Sequence, residues 1–197
     1  MIINVFVIII SYLLGNFSTS LIVSRLWAGI DIRKHGSGNA GATNMLRTLG
    51  LKAGLITFLG DALKGAIAVI LANKIGGENL ALLAGIAVVI GHNWPIVFGF
   101  KGGKGIATTI GVALTIYPLG AIICISVGIL VIIKTKYISL GSILAICLFP
   151  ILLIFSSIKL FLFGTSMAIM AIIRHRTNIK RLLEGTESKL SKKTEIK

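Results

Sequence analysis

Acidic side chains are nearly missing from this 197-residue chain, with 6 Asp and Glu against 20 Lys and Arg and a formal net charge of +14. A carboxylate-held Mg²⁺ site needs several acidic groups converging on one ion. The apolar runs contain a single one, Asp61. That scarcity excludes the metal-dependent alcohol phosphotransferases of membranes, and neither a metal nor another cofactor is expected. Cysteine is as scarce. Cys124 and Cys147 lie in apolar runs without CxxC spacing or a nearby histidine, which reads as packing rather than a disulfide or metal site. No histidine is followed five positions on by aspartate, since His35 leads to Ala40, His92 to Val97 and His175 to Lys180. The HxxxxD pair of one large acyltransferase class is therefore absent. No GxSxG elbow supplies a serine nucleophile. The opening MIINVFVIII lacks the basic stretch of a secretory signal and is read as part of the mature chain.

Charge of either sign is sparse overall. Charged residues make up 13% of the chain and hydrophobic ones 55%, with a mean hydropathy of +0.97. Soluble domains average about 25% charged, so a water-soluble globule is excluded, and the apolar content excludes disorder. The positive excess reads as the basic cytoplasmic loops of a membrane protein rather than a nucleic-acid footprint. No nucleic acid is expected as a partner.

A helical crossing takes about 20 apolar residues. Residues 3–24, 51–72 and 80–98 each supply one, whereas 106–133 and 138–173 are too long for one crossing and short for two. Basic residues decide between the options. Most of the 20 Lys and Arg fall in four clusters, at 25–52, 101–104, 134–136 and 174–197. Putting all four on the cytoplasmic face requires an even number of crossings between neighbours. Two helices must then fill each long run, turning near Pro118 and near Ser156-Ser157. The predicted fold is an all-α integral membrane bundle of seven transmembrane helices, several short, with the N-terminus outside and the C-terminus cytoplasmic. The membrane domain covers residues 1–183, and residues 184–197 form a basic, disordered tail. Gly50 and Gly54, in GxxxG spacing, fit close helix packing. No internal repeat suggests an inverted-repeat transporter.

Each of the three histidines has a glycine-rich or basic stretch beside it. The first stretch, DIRKHGSGNAGATNML at 31–46, contains GxGxxG. No strand precedes it, and a βαβ unit does not fit a membrane loop, so a dinucleotide fold is not implied. Gly, Ser, Asn and Thr in succession instead allow backbone N–H groups to converge as an anion-binding nest. Asn44 and Arg47 follow as side-chain donors to a substrate; a flexible polar connector is the alternative.

The second stretch is GHNWPIVFGFKGGKGIATT at 91–109. It is not a Walker A loop, because Gly105 rather than Ser or Thr follows Lys104. Gly102 to Gly105 open a helix at Ile106, which joins N-terminal N–H groups to a lysine charge, a phosphate-binding combination. The alternative is a plain turn with an anchoring lysine. Trp94 reads as an interface anchor. The third stretch is IRHRTNIKRLLEGTE at 173–187. On a helix, His175 and Asn178 share a face, and Arg174, Asn178 and Arg181 form a similar row. A basic helix end facing lipid headgroups is the alternative. Asp61 and Lys64, three apart within a span, either neutralise each other or mark a functional site. Ser139 and Ser142 either bond backbone or reach a substrate.

The strings GSGNAGATN (36–44), GHNWPIVFGFKGGKG (91–105) and RHRTNIKRLLEGTE (174–187) resemble the bacterial acyl-phosphate:glycerol-3-phosphate acyltransferases, the PlsY family. YLLGN (12–16), DIR (31–33) and DALKG (61–65) add support, and all run in the family's order. The resemblance implies transfer of a fatty acyl group from acyl phosphate to the 1-hydroxyl of sn-glycerol 3-phosphate. Lysophosphatidic acid and phosphate are the implied products, in the first acylation step of phospholipid synthesis. A multi-pass protein of the bacterial inner membrane is implied, with its site facing the cytoplasm and a functional link to the enzyme that makes acyl phosphate. The implied phosphate binders are Ser37, Arg47 and Lys104. Gly102, Gly103 and Ser142 are implied substrate contacts, and His175 and Asn178 fall at the reacting centre.

The residues suit that chemistry. An acyl phosphate is a mixed anhydride, so no covalent nucleophile is required. Two phosphates, each of about −1.5 to −2 charge, call for Arg, Lys and N–H donors. Either His175 or the donor's own phosphate accepts the hydroxyl proton. The sequence reading favours the phosphate, with His175 donating to the carbonyl and His175→Gln partly active. A small transporter or channel for an organic phosphate, and a non-enzymatic membrane scaffold, are the competing readings.

Overall fold

The computed structural model describes residues 2–190, which contain helices and turns and no strand. The helices are α1 (Ile2–Asn16), α2 (Thr19–Ala28), α3 (Ala42–Leu49), α4 (Leu51–Asn93), α5 (Ile106–Ile116), α6 (Pro118–Thr135), α7 (Ile138–Leu153) and α8 (Ile158–Leu183). Helix α4 is a hairpin. Gly76 and Gly77 leave helical geometry, with Gly77 at φ 71, and the chain reverses so that Lys64 Nζ comes within 2.9 Å of His92 Nδ1. Counting α1–α2 as one broken span and α4 as two legs gives seven apolar helical segments, the number expected. Four helical stretches are long and apolar enough to cross a membrane, namely Ile2–Ala28, Leu51–Phe98, Pro118–Thr135 and Ile158–Leu183. Ile106–Ile116 and Ile138–Leu153 are shorter apolar helices. Large aliphatic and aromatic side chains such as Phe6, Leu59, Leu63, Leu130 and Phe155 stay on the outside, as a lipid-facing surface requires.

Both expected turns are present. Pro118 is the first residue of α6, where its missing N–H costs nothing. Ser157 caps α8 by accepting the Leu160 N–H at 3.2 Å. The first span differs from expectation by breaking at Phe17-Ser18. The Lys64 ammonium donates to the carbonyls of Gly15, at 3.1 Å, and Phe17, at 2.7 Å, which draws them out of the helical ladder. Such irregular backbone is tolerated at depth only when covered by protein, and Lys64 is buried. Gly50 also differs. It does not pack against a helix; it takes φ 87 in the turn between α3 and α4, and only Gly54 is pressed closely, with a Cβ there lying 2.9 Å from that of Leu46.

The described residues form two compact units, one up to Ile116 and one over residues 117–190. In the first, the legs of α4 pack on α1, α3 and α5. Small residues bring backbones together, so that Gly15 lies on Gly91 and Gly111 on Ala62. In the second, α7 packs between α6 and α8, with Gly128 against Gly141 and Gly164 against Pro150. The tail also departs from expectation over its first half. Residues 184–190 run back along the second unit, where Glu187 is buried and the Leu190 N–H donates to the Lys136 carbonyl at 2.8 Å. Lys189 lies over the Tyr137 ring at 5.8 Å. The remainder of the expected disordered tail, 191–197, lies outside the described residues.

Candidate functional site

In the first unit, the loop after α2 is organised by two side chains. Asp31 accepts the Arg33 backbone N–H at 3.0 Å and pairs with the Arg33 guanidinium at 2.7 Å. Arg33 in turn lies over the Phe98 ring at 5.5 Å. The hydrogen bond from Arg33 outweighs burial and lowers the Asp31 carboxyl to about 2. Its contribution to stability is therefore complete above the ordinary carboxylate range and is lost only as pH falls toward that value. This anchor stays ionised at neutral pH.

Asn44 is the second organiser. Its Oδ1 accepts the Ser37 N–H at 2.9 Å, and its Nδ2 donates to the carbonyls of Ile32, His35 and Asn39. Asn44, expected as a substrate contact, also organises the loop through its amide. The expected nest of free N–H groups is also modified, because Gly38 and Gly41 donate to His35 and Asn39. What the loop presents is the exposed Ser37, with Arg47 half-buried one turn along α3 from Asn44.

The second stretch leaves α4 at Trp94 and passes through a short 3-10 turn, Ile96–Phe98. Gly99 and Phe100 both take left-handed backbone, at φ 62 and 61. A non-glycine there marks a tightly determined bend. The turn is pressed against the end of α4. The Gly103 N–H donates to the His92 carbonyl at 3.1 Å. A Cβ at Gly102 would meet the Asn93 carbonyl at 2.9 Å, and one at Gly103 would strike the His92 ring and meet the Ala40 carbonyl at 2.8 Å. The Ala40 contact joins the first stretch to the second. Lys104, half-buried, follows directly, and α5 begins two residues later. Beneath the turn, Asp61 and Lys64 form a buried ion pair at 2.9 Å, with His92 Nδ1 at 3.6 Å from Asp61.

In the second unit, α8 carries His175 and Asn178 on one buried face, as the spacing predicted. His175 Nδ1 lies 2.7 Å from the Ala171 carbonyl. A carbonyl only accepts, so Nδ1 carries a proton. Asn178 Nδ2 donates to Glu187 Oε1 at 2.6 Å. Ser139 Oγ donates to the same oxygen at 2.7 Å, and Arg181 Nε donates to Oε2 at 2.7 Å. Ser142, half-buried, stands one turn beyond Ser139 on α7.

Glu187 is the residue that sequence reasoning missed. Its string was noted without a role, and only its position nine residues past Asn178 hinted at a return contact. Burial pushes its carboxyl up, but the hydrogen bonds from Ser139, Arg181 and Asn178 outweigh that and hold it below the ordinary value. A depressed carboxyl stabilises the fold fully above its unfolded value and less as pH falls through the folded one. Glu187→Gln is expected to cost about 1.5–3 kcal/mol, the range for a hydrogen bond to a charged group. Thermal melting in detergent checks this. Wild type should lose its advantage over the variant as pH falls below 4.5, and an unchanged difference would contradict the assignment.

Comparison with known proteins adds an independent line. A family model described as Glycerol-3-phosphate acyltransferase matches residues 5–185. The chain is 58% identical over 194 residues to a protein of Alkaliphilus metalliredigens named Glycerol-3-phosphate acyltransferase, covering 98% of this chain and 100% of that one. A protein of the same name from Clostridioides difficile is 50% identical over 198 residues, covering 97% of each. A crystal structure of PlsY, described as an integral membrane glycerol 3-phosphate acyltransferase in its glycerol 3-phosphate form, superposes with a TM-score of 0.90 at 37% identity, covering 94% of each chain. Its lysophosphatidic acid form superposes at 0.88.

Proposed function

The chain belongs to the glycerol-3-phosphate acyltransferase family as an integral membrane protein of the PlsY type, and from that premise we propose that its acyl donor is an acyl phosphate. The 1-hydroxyl oxygen of sn-glycerol 3-phosphate attacks the acyl carbonyl carbon. The bond from that carbon to the phosphate oxygen breaks, and phosphate leaves with the electron pair. Lysophosphatidic acid and inorganic phosphate are the products. The observation that carries this reading is the junction at Ala40, where two donor-rich stretches meet beside Lys104. Lys104, Arg47, Ser37 and the turn at Gly102-Gly103 hold phosphate oxygens and offset charge on the developing oxyanion. In the second unit, Asn178, oriented by Glu187, and Ser142 are assigned as substrate contacts.

For His175 we prefer acceptance of the hydroxyl proton to the donation that the sequence reading favoured. Nδ1 donates to the Ala171 carbonyl, and we assign the reacting edge of the ring to Nε2. That supports acceptance of the hydroxyl proton over donation to the carbonyl. The proton then passes to the departing phosphate, so no net charge accumulates.

Donor choice tests the reading directly. Purified protein is expected to make lysophosphatidate from acyl phosphate and not from acyl-CoA, in keeping with the absent HxxxxD pair. Comparable rates with both donors would contradict it.

The site is proposed to face the cytoplasm of the bacterial inner membrane, with the N-terminus outside. In a background lacking Cys124 and Cys147, a cysteine at Ser188 should react from the cytoplasmic side. One at Asn79, beside the α4 reversal, should react from the opposite side. Reaction of both from one side would overturn the orientation.

A further inference from the structure

Beneath the glycine turn lies a polar cluster that acyl transfer itself does not use. Asp61, Lys64 and His92 are 1%, 3% and 6% exposed. Lys64 Nζ lies 2.9 Å from Asp61 Oδ1, 2.9 Å from His92 Nδ1, 3.1 Å from the Gly15 carbonyl and 2.7 Å from the Phe17 carbonyl. Thr19 Oγ1 donates to the same Asp61 oxygen at 3.2 Å. A buried ion pair can often be exchanged for apolar side chains of similar size without loss of stability. Stability alone therefore does not account for a lysine that also holds a ring.

An ammonium only donates. His92 Nδ1 therefore accepts from Lys64, and the ring proton sits on Nε2. That edge of the ring faces Gly103, where an added Cβ would collide with it. The same residue's carbonyl accepts the Gly103 N–H. His92 thus touches the turn with both its ring and its backbone, and Lys64 sets the orientation of the ring.

We propose that Asp61, Lys64 and His92 are positioning residues that seat the His92 ring under Gly103 and so set the shape of the turn that carries Lys104. The inference rests on the reading of that turn as a phosphate site. Asp61 holds Lys64, Lys64 orients His92, and His92 supports the turn one residue before the lysine that meets the anion. The network acts through the turn and touches no substrate.

A double-mutant cycle on the full-length purified enzyme tests it, with acyl phosphate and glycerol 3-phosphate as substrates. His92→Asn keeps an acceptor for Lys64 but lacks the edge that reaches Gly103. The paired change Asp61→Asn with Lys64→Met removes both charges together and frees the ring, so it carries the same test if His92→Asn does not fold. Each is expected to raise KM for one phosphate substrate at least tenfold and leave the other within threefold. Adding Lys104→Ala to either should then cost at least threefold less than in wild type, because the contact is already displaced. A purely structural role predicts that the effects multiply, or that losses follow thermal stability with both KM values moving together, and either result overturns the proposal. Wild-type protein that forms no lysophosphatidate overturns the acyl-transfer reading itself. An active wild type with independent variants overturns the coupling alone.

Discussion

Replacing His175 by glutamine is expected to lower kcat by about 10²–10⁴-fold, the range for losing a general base, with KM for both substrates within a few-fold of wild type. The glutamine amide can receive a hydrogen bond from the hydroxyl but cannot take its proton. His175 Nδ1 donates to the Ala171 carbonyl one helical turn back. An imidazole so fixed enters the reaction through the Nε2 lone pair. Near-normal kcat in a folded His175→Gln enzyme would return the proton to the donor phosphate and leave His175 with a minor role.

The second large effect is expected at Lys104. It sits between Gly103 and Gly105, just ahead of α5, so its charge and the helix N-terminus act on the same anion. Lys104→Ala should remove a charge-assisted contact worth about 1.5–3 kcal/mol, which is about 10- to 150-fold in kcat/KM. Both KM and kcat should suffer, because a phosphate is held in the ground state and carries added charge as it leaves. Lys104→Arg should recover only part of the loss, since the planar fork does not replace a compact ammonium in a turn sealed by glycines. Loss confined to KM would show that the contact is equal in ground and transition states.

Much of the fold was legible because a membrane forces simple signals. Pro118 and Ser157 begin helices for reasons local to the chain. The break at Phe17-Ser18 was not legible, because its cause, Lys64, lies 47 residues away. The site divides in the same way. His175 and Asn178 share a face through helical periodicity alone, and the glycine turn announces itself by composition. Asn44 reads as a donor in the sequence, yet its amide closes the loop around it, which depends on carbonyls the sequence does not place. Glu187 was hidden because a carboxylate in a polar tail looks solvated until Ser139, Asn178 and Arg181 surround it. His92 was noticed as a histidine, but its ring partner Lys64 comes from the other leg of α4 and is itself held by carbonyls at the break after α1.

The central claim is group transfer between two phosphate-bearing molecules at one site, and a labelled reaction measures it most directly. Purified protein is placed in sealed liposomes with ³²P-labelled glycerol 3-phosphate and a long-chain acyl phosphate. The label should pass into lysophosphatidate, with one inorganic phosphate released for each molecule formed, and no reaction should occur when acyl phosphate is omitted. Labelled glycerol 3-phosphate that crosses the bilayer unchanged, with no lysophosphatidate formed, would contradict the account and identify the basic site as part of a transport path.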